Sequence, residues 1–262
     1  MEQYIDILKE LEKTKIWDEE PIFCFTSDID WASEYVLELF FDDIKSWNVP
    51  FTLFLTHPSK VISDHFDDPN FEFGIHPNFL PGSSHGEGLQ EIIEACLEFT
   101  PKTQAFRAHR YYTVNDIEDM LFSKYGFKYS SNLPYLLTPK LRPRIHRSGL
   151  VHIPLFFEDG GHIYNKFENR LDPYLPWFKT PGLKIINIHP MNYAVNPAEF
   201  TYMRSIKDRL SREEYVKMDK AAIEKVRNNQ RGITDVINEV AELASQYKVM
   251  SLDEIYRVTI GQ

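Results

Sequence analysis

Aspartate and histidine residues recur at the ends of short apolar runs in this chain. Asp28 and Asp30 follow the first run, His76 follows the third, and His189 closes the last. Carboxylate and imidazole ligands can hold a divalent metal ion while leaving coordination positions open for water. A further carboxylate can take a proton from that water, and a further histidine can protonate a leaving amine. These residue types together indicate metal-assisted amide hydrolysis.

Two more of the apolar runs carry charged residues. Arg107 and His109 lie in the run AFRAH at 105–109, and Asp159 follows the run at 150–157. A charged side chain inside an apolar run usually has a buried partner. Asp159 precedes two glycines, so it would also suit a turn.

Ordinary structural explanations remain open for several of these residues. Asp28 and Asp30 could form an Asx turn and a helix N-cap. His76 stands before Pro77 and could be a hydrogen-bonded turn histidine, whereas His85 lies in a Gly/Ser-rich loop and could be exposed.

The apolar runs alternate with stretches of helical periodicity. We predict buried strands at 21–27, 51–56, 71–75, 105–109, 127–131, 150–157 and 183–188. We predict helices at 2–14, 32–47, 89–99 and 114–124, a long surface loop at 132–149, and a charged helical tail from about 203 to 248. This alternation favours parallel βαβ units, arranged either as an open sheet or as a barrel. Since the carboxyl ends of parallel strands meet on one face, the polar residues above should converge there.

Composition sets limits on the class of protein. The chain has 262 residues, 43% of them hydrophobic and 26% charged, with a formal net charge of −10 at pH 7. This balance is typical of a soluble globular protein and unfavourable for binding nucleic acid or an anionic membrane surface. No window approaches the ~18 apolar residues of a membrane span, and the charged N-terminus does not resemble a signal peptide. We therefore expect a cytoplasmic location, with Cys24 and Cys96 as buried thiols.

The ordered series of motifs resembles the polysaccharide deacetylase family, also called the NodB-homology domain or family 4 carbohydrate esterases. The family motif T-F-D-D-G is similar to residues 26–30, and H-x-x-x-H is matched in part at 74–79. The arginine-led, aspartate-centred and His-Pro motifs correspond to 106–111, 159–161 and 186–190. The resemblance covers residues 20–190 and leaves the helical tail outside.

The resemblance implies one divalent metal ion, zinc first and cobalt or nickel as alternatives. Asp30 and His76 would be ligands, and the third ligand would be His85, with Asn78 as the alternative. Two departures from the family pattern leave options open. Ile29 separates the two aspartates, so their roles could be exchanged, and the second motif lacks its second histidine, so the site could be degenerate.

The resemblance also implies catalytic roles. Asp28 would deprotonate the attacking water while Arg107 keeps that carboxylate ionised. His189 would protonate the departing amine, and Asp159 would orient the His189 ring. The sugar subsite would be lined by Tyr111, Tyr112 and His109.

The implied fold is an irregular parallel (β/α) barrel of about seven strands with an N-terminal helix and a C-terminal helical extension at 203–262. We expect one domain over 1–262. The expected function is removal of an N-acyl (acetyl) group from a sugar, in a cytoplasmic precursor of a surface polysaccharide. A hydrolase of small non-sugar amides and a non-catalytic carbohydrate- or partner-binding protein are the alternatives. The oligomeric state stays open.

Overall fold

One curled, mostly parallel sheet organises the computed structural model, which describes residues 2–262. Within these residues ten strands form, in the spatial order β6-β7-β5-β4-β3-β2-β1-β9-β8 with β10 beside β1. The strands are β1 (Pro21–Asp28), β2 (Phe51–Leu55), β3 (Phe71–Ile75), β4 (Ala105–Phe106), β5 (Tyr129–Ser130), β6 (Arg144–Ile145), β7 (Val151–His152), β8 (Phe157–Glu158), β9 (Gly182–Ile188) and β10 (Lys248–Val249). The predicted mixed α/β class with a barrel-like parallel sheet is confirmed, with ten strands where about seven were expected.

The core of the sheet is formed by β1, β2 and β9. Every residue of these three strands is buried. Strand β1 runs parallel to both neighbours, with Phe25 opposite Phe51 on one side and Thr26 opposite Asn187 on the other. Near-continuous apolar runs of this kind are what a parallel sheet covered on both faces requires.

The run at 150–157 does not form the single strand that we predicted. It forms β7 against β5 and then crosses to form β8 against β9. The backbone N–H of Ile153 donates to Ser130, whereas that of Phe156 donates to Ile185, and Pro154 between them has no N–H to donate. Because one chain segment pairs with strands from both ends of the sheet order, the sheet curls back on itself.

Helices cover the sheet. They are α1 (Glu2–Glu12), α2 (Glu34–Ser46), α3 (Lys60–Ser63), α4 (Leu89–Phe99), α5 (Asn115–Ser123), α6 (Asp159–Tyr164), α7 (Leu175–Phe178), α8 (Pro190–Val195), α9 (Phe200–Arg209), α10 (Arg212–Val216), α11 (Lys220–Val226), α12 (Ile233–Ala244) and α13 (Leu252–Thr259). Helix α2 illustrates their formation, since Ser33 caps its first turn by accepting from the N–H of Val36. None of the helices within residues 2–262 is long and apolar enough to cross a membrane.

Two segments differ from their predictions. The tail is helical in α9 to α12, but it then adds β10 to the sheet, where Lys248 lies opposite Ile22. The backbone N–H of Met250 continues this pairing by donating to Phe23. The predicted loop at 132–149 contains β6, which pairs antiparallel with β7.

Both predicted thiols, Cys24 and Cys96, are free and buried.

Candidate active site

The two aspartates of the first motif project from the end of β1 into one cavity. Asp28 is its last residue, and Asp30 follows in a left-handed conformation with φ of 40°. An aspartate tolerates this conformation better than most residues. The turn is fixed to the end of β2, because the N–H of Ile29 donates to Phe54. Ile29 itself is buried in the core, so the two carboxylates reach the same cavity despite the residue between them.

Asp28 forms a buried ion pair with Arg107. Nη1 of Arg107 donates to Oδ1 of Asp28 at 2.9 Å, and Nδ2 of Asn187 donates to the other oxygen at 2.7 Å. Burial favours the neutral acid, but the charges of Arg107, His76 and His189 outweigh it and lower the pKa of Asp28. Asp28 is therefore held as a carboxylate.

Arg107 is fixed by more than this ion pair. Its Nε donates to the carbonyl of Ser131 at 2.6 Å, and its Nη2 donates to the Ser131 hydroxyl at 2.9 Å. Its Nη1 also donates to Thr26 Oγ1 and Asn187 Oδ1, and the guanidinium lies 4.4 Å from the centre of the Phe54 ring. These contacts satisfy a charge with no solvent exposure.

Asp30, His76 and His109 form a compact group of metal-ligand type. One ligand atom from each lies within 4.8 Å of the others. Oδ1 of Asp30 is 3.3 Å from Nε2 of His76 and 3.1 Å from Nδ1 of His109. A carboxylate with two imidazoles is a donor set that suits zinc and leaves positions open for water. The residues thus fit a divalent ion by the chemistry and convergence of their donor atoms.

Backbone hydrogen bonds bring the two histidines together. The N–H of His76 donates to Leu55 at the end of β2, and the N–H of His109 donates to Pro77, directly after His76. The rings meet edge to face with centres 5.6 Å apart. We predicted His109 as a sugar-contacting residue; the structure instead places it beside Asp30 and His76.

The structure does not bring His85 into this group. Nε2 of His85 lies 2.7 Å from the Thr56 carbonyl, and Nδ1 accepts from the N–H of Asn78 at 3.1 Å. Both ring nitrogens are therefore engaged, and the ring stacks on Trp31 with centres 5.8 Å apart. The alternative ligand, Asn78, uses its side-chain oxygen to accept from Leu80. The two residues predicted as third ligand, His85 and Asn78, thus make hydrogen bonds within the loop, whereas His109 lies beside Asp30 and His76.

His189 is bound at two points by the carboxylate of Asp159. Nδ1 of His189 lies 2.6 Å from one oxygen, and its backbone N–H donates to the other at 2.8 Å. Nε2 then faces the aspartates of the first motif, 3.9 Å from Asp28 and 3.8 Å from Asp30. Burial opposes the charged ring, but Asp159, Asp30 and Asp28 raise the pKa of His189 to about 10. The three carboxylates thus favour the protonated form of His189, which can donate a proton.

A cavity of about 300 Å³ is lined by Asp28, Asp30, His76, His109 and His189. Tyr111 lines it, whereas Tyr112, also predicted to contact sugar, is 44% exposed and lies outside the lining. Helices α9 and α10 cover the cavity, and the 132–149 segment does not. The residues that line it from this side are Phe200, Met203, Arg204, Lys207 and Tyr215.

Sequence reasoning missed several residues of the site. Glu158 lines the cavity, and burial together with Asp159 and Asp28 raises its pKa to about 7 against the opposing effect of His189. Asn187 links Asp28 to Arg107. Asn187 could have been found from the sequence, because its amide interrupts the apolar run KIINI. The only sequence signal for Glu158 was its position beside Asp159.

Comparison with known proteins gives a family and several similar solved structures. A family model for WbmS-like polysaccharide deacetylases matches residues 25–207. A solved structure from Bordetella bronchiseptica, described as a candidate polysaccharide deacetylase involved in O-antigen biosynthesis, is 26% identical to the chain. It covers 84% of this chain and 90% of its own, with a TM-score of 0.73. A CE4-family pseudoenzyme from Bacillus anthracis is 14% identical, covering 97% of this chain and 81% of its own, with a TM-score of 0.44. No curated protein sequence matches.

Proposed function

Because the chain belongs to the WbmS-like polysaccharide deacetylase family, we propose that it removes an N-acyl group, such as acetyl, from a sugar by metal-assisted hydrolysis. The observation that carries this proposal is the convergence of three units on one cavity. These units are the Asp28–Arg107 ion pair, the group Asp30–His76–His109 and the His189–Asp159 pair.

Asp30, His76 and His109 would hold one divalent ion, zinc or a similar metal. When bound, such an ion polarises the amide carbonyl and lowers the pKa of a water molecule. The same cavity holds the groups that would move protons.

Asp28 would accept the proton of the attacking water. Its carboxylate is kept ionised by Arg107 and is fixed in place by Asn187. The water oxygen forms a bond to the acyl carbon, and the carbon–nitrogen bond then breaks. His189 would give its Nε2 proton to the departing nitrogen, while Asp159 retains the ring in its orientation. The products are a free amino sugar and a carboxylate, acetate in the case of an acetyl group.

We place the substrate among precursors of surface polysaccharides and the reaction in the cytoplasm. The similarity to the Bordetella protein of O-antigen biosynthesis supports the substrate class. We also propose that residues 1–262 act as one domain, since α9 and α10 line the same cavity as the strand ends.

The proposal is tested by metal analysis together with an acetate-release assay. Protein purified without chelator or histidine tag should carry about one zinc or similar ion per chain, and Asp30→Ala should lose it. The wild-type protein should release acetate from N-acetylated sugars. Acetate release from small non-sugar amides alone would contradict the sugar assignment. Absence of metal after addition of zinc, cobalt or nickel, without hydrolysis, would contradict the enzymatic function.

A further inference from the structure

The cavity carries opposite charges at its two ends. Its acidic side chains are buried: those of Asp28 and Asp30 are 3% and 14% exposed. Its three cationic side chains at the solvent side are Arg110, Arg204 and Lys207, of which Arg204 is 60% exposed. The acids therefore form the inner end of the cavity, and the cations surround its mouth.

This cationic mouth is unexpected for a chain with a net charge of −10. Arg204 pairs with Asp208, one turn along its own helix. Lys207 lies over the Tyr215 ring, 5.6 Å from its centre, and not beside a carboxylate. Among the side chains that the structure describes, those of residues 4–262, neither Lys207 nor Arg110 has a carboxylate partner at ion-pair distance. Positive charge thus remains available to a ligand.

The backbone at Arg110 is held in an unfavourable conformation. Arg110 and Tyr111 are both left-handed, with φ of 56° and 57°. Asn132 stabilises this turn by donating to the carbonyl of Tyr111 and accepting from the N–H of Ala108. Such conformations are concentrated at functional sites. Here the turn places Arg110 in the cavity lining, directly after His109.

We propose that the mouth binds a phosphoryl group carried by the N-acyl sugar, an inference that rests on the proposed function. A volume of about 300 Å³ lies at the small end of ligand cavities and suits one sugar unit. With the amide at the acidic inner end, a phosphoryl group on the sugar would face Arg110, Arg204 and Lys207. Arginine and lysine are the residues that recognise phosphate through charge-assisted hydrogen bonds. Phosphoryl-linked sugars occur on nucleotide and on lipid carriers, and both carriers present this group.

Calorimetric titration of the full chain tests the inference without depending on turnover. The probes are N-acetylglucosamine, its 1-phosphate and UDP-N-acetylglucosamine. We expect the phosphorylated sugars to bind at least about tenfold more tightly than the neutral sugar. Lys207→Gln and Arg110→Gln should each remove most of that difference. Arg209→Gln removes an exposed cation that lies on the same helix as Lys207 but outside the cavity. This control variant should preserve the difference in affinity.

Two controls separate the possible causes. Asp30→Ala should keep the preference for the phosphorylated sugar, which excludes contact between phosphate and a bound metal as its source. Raising the salt concentration should weaken the preference, because exposed charges are screened. Tighter binding of UDP-N-acetylglucosamine than of the 1-phosphate would support a nucleotide carrier; equal binding would support recognition of the phosphoryl group alone, as a lipid carrier requires.

Equal affinity for neutral and phosphorylated sugars, or no binding of any probe, overturns the inference. A preference that survives both Lys207→Gln and Arg110→Gln does the same. Acetate release from a neutral sugar in that case would leave the proposed function intact. A phosphoryl preference without acetate release would instead contradict the proposed function alone.

Discussion

Asp159 binds His189 through both of its carboxylate oxygens, one on the ring Nδ1 at 2.6 Å and one on the backbone N–H at 2.8 Å. A single side chain thereby fixes the orientation of the ring and the end of β9. Asp159 is fully buried at the start of α6, and Gly160 also donates to it. This arrangement leaves only Nε2 of His189 facing the cavity, so the proton that it can give is aimed at the carboxylate groups of the first motif.

Replacement of Asp159 by Asn should lower kcat by about 100-fold or more, the usual contribution of a general acid. The amide keeps the size of the side chain but removes the charge that holds His189 protonated. Metal content should stay at the wild-type value, because Asp159 lies outside the Asp30–His76–His109 group. Steady-state kinetics and metal analysis on the same preparation check both points. Unchanged kcat would show that His189 does not act as the acid.

His109→Ala should weaken metal binding by at least about tenfold, whereas His85→Ala should leave it nearly unchanged. The difference follows from the structure, since His109 faces Asp30 while both ring nitrogens of His85 are engaged within the loop. Competition with a fluorescent zinc chelator measures both affinities. A large loss in His85→Ala with none in His109→Ala would restore the ligand set expected from the sequence.

Arg107→Met should destabilise the protein by about 3–5 kcal/mol, because it leaves Asp28 as a buried charge without its partner. The double variant Asp28→Asn/Arg107→Met should lose less stability than Arg107→Met, since it leaves no unpaired carboxylate. Urea unfolding of the two single variants and the double variant measures the coupling. Additive losses would mean that the ion pair contributes little.

Lys184→Met should raise the free energy of unfolding by roughly 3 kcal/mol below pH 8. Burial lowers the pKa of Lys184 to about 8 from 10.5. Between these values the unfolded chain binds the proton and the folded chain does not. The destabilising effect of Lys184 on the folded wild-type protein therefore becomes smaller as pH rises. The difference in free energy of unfolding between Lys184→Met and the wild type shrinks with it towards pH 10.5. Thermal unfolding from pH 6 to 10 tests this, with the exposed Lys179→Met as control. A constant difference across this range would argue against titration of Lys184.

The strands could be predicted because each is a short apolar run that parallel pairing buries on both faces. The run at 71–75 forms β3 with the predicted bounds, and 183–188 forms β9 with one added residue. The run at 150–157 was the exception, because apolar composition does not reveal that a segment changes partner from β5 to β9.

The pattern of apolar runs was enough to predict that Asp28, Asp30, His76, Arg107 and His189 share one face, since each lies at the end of a strand in a parallel sheet. Which histidine lies beside Asp30 could not be read from that pattern. That choice depends on the turn after β4 and on a loop that uses both nitrogens of His85. Tertiary packing also brings α9 and α10 over the cavity, with Met203 and Ile206 of α9 buried in the core. The alternation of strands and helices predicts that the strand ends meet on one face, whereas the order of the strands and the distances between side chains are set by how the strands, loops and helices pack.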